Sequence, residues 1–157
     1  MLRAEVSADL ARSDDLRVVL KRCTDALVKH VEASFARIWT VDAAENFLEL
    51  LASSGIYTRL DGPHGRVKMG QFKIGRIAEN RQPHLTNDVQ NDPNISDPDW
   101  ARREGMVAFA GYPLLVEGQV VGVIALFARQ PFTEELLKEL SLMADGLAQW
   151  IQRKQAE

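Results

Sequence analysis

The sequence predicts an α+β domain, within the broad α/β class, built on one central antiparallel β-sheet, and three observations predict it. Two β-prone runs, Phe35 to Val41 and Phe47 to Ser53, are joined by Asp42 to Asn46, a link too short for a parallel crossover. Two long apolar runs, Ala108 to Val116 and Gln119 to Ala128, flank the Glu117-Gly118 turn and read as a hairpin apolar enough on both sides to lie centrally. Helical periodicity brackets these strands, from Ser13 to Val31 and from Thr133 to about Arg153.

The elements follow in order. Leu2, Val6 and Leu10 recur at helical spacing and allow a short first helix. Leu16, Leu20, Cys23, Leu27 and Val31 then fall on one face of a longer one; Ser13 or Asp14 caps its free amides, and Asp14 and Asp15 suit its positive end. In the first strand Phe35, Arg37, Trp39 and Val41 alternate with Ala36, Ile38 and Thr40. Gly55 to Gly70, rich in glycine with Pro63, reads as a moving surface loop except for a short strand at Arg66 to Met69. Gly75 is expected to open a short helix, Arg76 to Asn80, that stops near Arg81 because Pro83 forces its predecessor out of helical geometry. His84 to Thr86 is extended. A second short helix has Asp97 as cap, Pro98 in its first turn and Gly105 as its left-handed stop. The last helix has Thr133 as cap and Glu134 and Glu135 in its first turn; Leu136, Leu140, Met143, Leu147 and Trp150 form one apolar stripe, and Leu137, Ala144, Ala148 and Ile151 a second. No repeat or linker interrupts the chain, so residues 1–157 read as a single domain with a core at about 14–153.

Composition narrows the function. Of the 157 residues 46% are hydrophobic and 26% charged, with a net charge of −3, which suits an ordinary globular domain and gives no basic surface for nucleic acid or acidic membranes. The single Cys23 excludes an intramolecular disulfide or a multi-cysteine zinc site and favours the cytoplasm. No apolar run approaches the roughly 18 residues that span a bilayer, and Met1 to Leu20, without an unbroken apolar stretch, is not expected to act as a secretory signal.

Catalytic motifs are missing: there is no Gly-x-Ser-x-Gly elbow, phosphate-binding loop or paired His-Cys arrangement, so the chain reads as a non-enzyme. His30, His64 and His84 share no metal-ligand spacing; His30 ends a helix and His64 sits in the loop, so both are expected to be exposed. Arg76, placed in the first turn of its helix, together with Arg102 and Arg103, suits a carboxylate or phosphate. Trp100, Phe109 and Tyr112 could form flat apolar walls with one orienting hydroxyl. Asn87 and Asp88 can tie off loop backbone, and Gly122 lets another segment approach the central strand. Each has a plainer alternative: solvated arginines, core aromatics, or residues that shape a pocket without touching its ligand.

Ile74-Gly75-Arg76-Ile77-Ala78, Arg81-Gln82-Pro83-His84, Asn87-Asp88-Val89, Asp92-Pro93, Gly111-Tyr112-Pro113-Leu114 and Gly118 to Ile124, in that order, resemble the signature of a GAF domain over about Leu16 to Ile151. The resemblance implies a GAF/PAS-like sheet with the N- and C-terminal helices on one face and loops plus short helices over the other. It implies a sensory module of the signalling kind, including two-component systems, that binds a small-molecule effector between sheet and loops. The terminal helices would pass the change to an output domain or partner such as a histidine kinase, cyclase or transcription regulator. His84 would lie beside the cavity, and the expected ligand-binding set is Arg76, His84, Asn87, Asp88, Trp100, Arg103, Phe109 and Tyr112. A homodimer is expected through Leu136, Leu140, Met143, Leu147 and Trp150, one stripe covering the sheet while the other meets a second copy. A dimerisation module with a side-chain-filled cavity is the alternative.

Which effector the family resemblance implies stays open, and no cofactor is assigned. The cyclic-nucleotide branch resembles Asn-Lys followed at a distance by Phe-x-x-x-Asp-Glu; here only Asn80-Arg81 and Asn87-Asp88 come near, and no Phe-x-x-x-Asp-Glu follows before Trp100. Covalent tetrapyrrole attachment and the methionine sulfoxide reductase branch both need pocket thiols, whereas Cys23 falls on an apolar helix stripe.

Overall fold

The computed structural model describes Val6 and residues 15–156. In chain order these form α1 (Leu16–Val31), β1 (Phe35–Asp42), β2 (Phe47–Gly55), β3 (Arg66–Lys68), α2 (Phe72–Asn80), β4 (His84–Thr86), a 3₁₀ turn (Val89–Asn91), α3 (Pro98–Glu104), β5 (Ala108–Val116), β6 (Gln119–Ala128) and α4 (Glu134–Ala156). The six strands pair antiparallel in the order β3-β2-β1-β6-β5-β4; the long hairpin lies inside the sheet, as the sequence predicts, and the first ribbon joins it through β1 and β6. At Gly122 the missing Cβ is what permits that join: an added methyl carbon would sit 2.3 Å from the Trp39 carbonyl oxygen of β1.

Strand alternation divides the core. Ala36 and Ile38 of β1, with Tyr112, Leu114, Ile124 and Leu126 of the hairpin, face α1 and α4 in one apolar cluster. Phe35 and Trp39, with Phe109, Val123 and Ala125, face the other way, toward α2, α3 and the loops. A bulge in the β1–β2 ladder leaves Leu51 without a partner between Ala52, opposite Ile38, and Leu50, opposite Trp39. Beyond it Leu48 and Leu50 line the loop side while Leu51 and Ala52 join the helix side.

Several local expectations need correction. The α1 cap is Asp15, whose carboxylate accepts from the Val18 amide at 3.2 Å; Ser13, Asp14 and the short first helix lie outside the described residues, apart from Val6, which is helical and buried. Helix α2 starts at Phe72, so Gly75 lies inside it and does not open it. The glycine is required there by packing: a Cβ would stand 2.5 Å from the Lys68 carbonyl oxygen, where α2 crosses the exit of β3. The remaining caps are as expected. Asp97 accepts from Trp100 N at 3.0 Å, Gly105 is left-handed, and Thr133 Oγ1 accepts from Leu136 N at 3.1 Å.

The dimer stripe is also corrected. Leu140, Met143, Leu147 and Trp150 are buried in the chain's own core, as are Ala144, Ala148 and Ile151, because α4 lies flat on β5 and β6 with α1 beside it. Leu136 is half-buried in the same cluster. Both stripes are consumed within one chain, and the outward row of α4 exposes Leu142.

Candidate functional site

On the sheet face away from α1 and α4 the chain forms a cavity of about 390 Å³. Its floor is Phe35, Arg37 and Trp39 of β1 with Phe109 and Phe127 of the hairpin. Tyr57 and His64 come from the loop after β2, Phe72 and Lys73 from the start of α2, and Ile95, Asp97 and Trp100 from α3 and its approach. Two indole hydrogen bonds tether this cover: Trp39 Nε1 donates to the His64 carbonyl at 2.8 Å, and Trp100 Nε1 donates to the Tyr57 hydroxyl at 2.7 Å. The rings form a continuous wall. Phe35 stacks on Phe127 at 5.0 Å between centroids, Phe109 meets Phe127 edge-on at 4.8 Å, and Trp100 meets Phe127 at 5.1 Å. Phe72, a bulky residue at φ 56, holds an uncommon left-handed backbone at the cavity wall.

Cationic groups interrupt this apolar lining. Arg37 Nε donates to Ser53 Oγ at 3.0 Å, and its guanidinium lies 5.5 Å from the Phe35 ring centre and 6.0 Å from that of Tyr57. Burial pulls its pKa below the usual arginine value, against a smaller opposing pull from Tyr57. Lys73 Nζ stands 4.3 Å from the Phe109 ring centre and 3.2 Å from Asp92 Oδ2, with both side chains of that pair almost wholly buried. Desolvation lowers the Lys73 pKa, and Asp92 opposes it. Nζ is buried and makes no directed hydrogen bond, so the contact with Asp92 is a charge pairing without hydrogen-bond geometry. Asp92 itself is held by His84 Nε2 at 2.5 Å and by the Asn94 amide at 2.9 Å. The His64 ring packs on Phe72 at 4.7 Å, and burial, followed by the Arg37 charge, lowers its pKa.

The residues singled out from sequence divide accordingly. Trp100 and Phe109 line the cavity. Tyr112 does not: it points to the helix side, where its hydroxyl donates to the Leu137 carbonyl at 2.9 Å and burial pushes its pKa up to about 12. Arg76 falls in the second turn of α2 because that helix starts earlier; it is exposed and donates to Asn94 Oδ1 at 2.7 Å. Arg103 is exposed on α3 and does not line the cavity. Asn87 clips the chain before α4 by giving to the Phe132 carbonyl and accepting from the Phe132 amide, while Asp88 accepts from the Asn91 side chain. His84 sits behind the wall on Asp92, and its ring centre lies 5.9 Å from that of Phe109. His64, expected in solvent, is half-buried at the cavity. Arg37 and Lys73, absent from the expected set, are the arginine and lysine side chains that line it.

Cys23 is buried in the cluster on the opposite side of the sheet, so no thiol among the described residues lines the cavity. Among the described residues no group of three or more His, Cys, Asp or Glu side chains is placed to hold a metal, and no helix is long and apolar enough to cross a membrane.

A family model described as "GAF domain" matches residues 13–152. No curated protein sequence matches the chain. Among solved structures, the GAF domain of a phosphoenolpyruvate-protein phosphotransferase from Coxiella burnetii superposes with a TM-score of 0.86 at 20% identity, over 99% of this chain and 93% of that one. The corresponding domain from Acinetobacter gives 0.82 at 16% identity over 99% and 93%. A free methionine-R-sulfoxide reductase from Neisseria meningitidis, solved with its substrate, gives 0.81 at 16% identity over 99% and 89%. At these identities the structures speak to the fold alone.

Proposed function

The chain belongs to the GAF domain family, and from that premise we propose that it is a cytoplasmic regulatory module whose cavity takes a small-molecule effector and whose terminal helices carry the response to an output domain or partner. The observation that carries this reading is the hollow of about 390 Å³ on the loop side of the sheet, within the size range of small-molecule sites and roofed by segments that two indole hydrogen bonds tether across it. An effector shifts such a module only if it binds one arrangement of roof and helices better than the other. Helices α1 and α4 lie against the reverse of the same sheet, which supports them as the outlet. Pairing of two copies, if it belongs to the device, must use their outward rows, where Val18 and Leu142 are exposed.

Two other readings are weaker. A purely dimerising module predicts a filled interior, which the cavity argues against. Catalysis of the kind named for the Neisseria relative is disfavoured by the position of Cys23, buried across the sheet from the cavity. The test is native mass spectrometry of the purified chain together with a metabolite screen by thermal shift. The expected result is a bound or stabilising small molecule; a clean mass and a flat screen would leave only the scaffold.

A further inference from the structure

Resting on the reading of the cavity as an effector site, we infer that it selects a small organic anion with a flat apolar body, its carboxylate on Arg37. Arg37 is the reason for the anion. A guanidinium offers five N–H donors, and among the described residues only Nε finds a hydrogen-bond partner, Ser53 Oγ. Among the described residues no carboxylate lies within ion-pair distance of it, and it is half-buried between two aromatic rings. A partly desolvated cation without a counter-ion raises the energy of the empty cavity, and an oxyanion seated on its free nitrogens offsets that cost through charge-assisted hydrogen bonds. Asp97, the carboxylate on the lining, is exposed and committed to the Trp100 amide.

Lys73 differs. Its charge is already balanced by Asp92, so a second anionic group there would be in excess; its buried Nζ nevertheless lacks a directed hydrogen bond. Burial closes Nζ off from the cavity, so Lys73 presents its methylene stem there and adds no second anchor. Between the two cations runs the Phe35–Phe127–Phe109 wall with Trp100 against it, a surface that favours a planar apolar body over a hydrated chain.

The test is calorimetric titration of the full chain with 3-phenylpropanoate, 3-phenylpropanamide, 3-phenylpropylamine and succinate. The carboxylate should bind about tenfold or more tighter than the amide or amine, and succinate should be weaker by a similar factor. Arg37→Gln should bring carboxylate and amide to within about twofold while the melting temperature is kept, and Arg37→Lys should retain part of the preference. An amide or amine that matches the carboxylate, a variant that keeps the preference, equal binding of succinate, or no binding of any probe overturns the anion inference. The thermal-shift screen separates the two levels: a neutral or cationic hit leaves the effector cavity standing and removes only this ligand class, whereas silence in both experiments removes the cavity reading as well.

Discussion

Arg37 and Lys21 converge on one residue: Arg37 Nε donates to the Ser53 hydroxyl at 3.0 Å, and Lys21 Nζ, from α1, donates to the Ser53 carbonyl at 2.9 Å. The same hydroxyl donates to the Tyr57 carbonyl at 2.6 Å, and Lys21 also reaches Ser54 Oγ at 3.0 Å. A group lining the cavity and a group on a terminal helix are thus both fixed on β2. Ser53→Ala should lower stability by about 1–3 kcal/mol, since it strands the Tyr57 carbonyl and the Arg37 Nε–H. A double-mutant cycle of Arg37→Gln with Lys21→Met should give a coupling of about 0.5 kcal/mol or more in urea unfolding. Strict additivity of the two substitutions would mean that Ser53 does not connect cavity and helix.

Tyr57→Phe removes the acceptor of the Trp100 indole while leaving both rings in contact. The expected loss is about 1 kcal/mol, with faster amide exchange in the segment between Gly55 and Gly65 and in α3, because this bond joins loop to helix across the cavity. Exchange confined to α3 would show that the loop is held by its bonds to the sheet, Trp39–His64 and Ser53–Tyr57 among them, and not by Trp100.

Signals carried by neighbouring residues were legible in the sequence. The Glu117-Gly118 turn, with positive φ at both positions, and the Asp97, Gly105 and Thr133 caps depend on a few adjacent residues, so their elements fall where predicted. The site was read less well for three physical reasons. Phe109 and Tyr112 are three apart on one strand, so they face opposite sides, and strand parity alone separates them. Arg37 also carried a signal, as the charged residue between Phe35 and Trp39 on an otherwise apolar face. Lys73 and Arg76 both depended on where α2 begins; an earlier start buries the first and exposes the second. His64 had no local signal, because its position is set by Trp39 and Phe72 from elsewhere in the chain.

Trp150 tests the corrected role of α4. Since the indole is buried within one chain, Trp150→Ala should reduce unfolding free energy by about 3–5 kcal/mol, and Trp150→Glu should prevent a native fold. Leu142→Glu, on the exposed row, should leave stability within about 0.5 kcal/mol. Sedimentation of a well-folded Trp150→Ala protein at half the wild-type mass would instead return that residue to an interface.

Asp92, buried beside Lys73, and His64 together set an acid limit on the fold. His64 has its pKa lowered, by burial first and by Arg37 second, so as pH falls through the ordinary value of 6.5 the unfolded chain takes up a proton before the folded one does. Stability is therefore full above that value and declines below it until folded His64 also protonates. Asp92 acts lower. Burial works against its charge, but His84, the Asn94 amide and Lys73 outweigh it and hold its pKa below the ordinary 3.8. Its contribution is present above that value and is lost as pH drops through the folded pKa. His64→Gln should flatten the upper limb of a stability-against-pH curve and leave the lower limb, while Asp92→Asn should do the reverse. Asp92→Asn should also lower neutral-pH stability by about 3–5 kcal/mol, because Lys73 is left as a buried charge without its counter-ion. Lys73→Met should cost less, since Asp92 keeps His84 and Asn94, and adding it to Asp92→Asn should restore much of the loss. If the double variant is no more stable than Asp92→Asn alone, the penalty is not the stranded ammonium, and Asp92 then matters through its hydrogen bonds to the β4 side of the cavity wall.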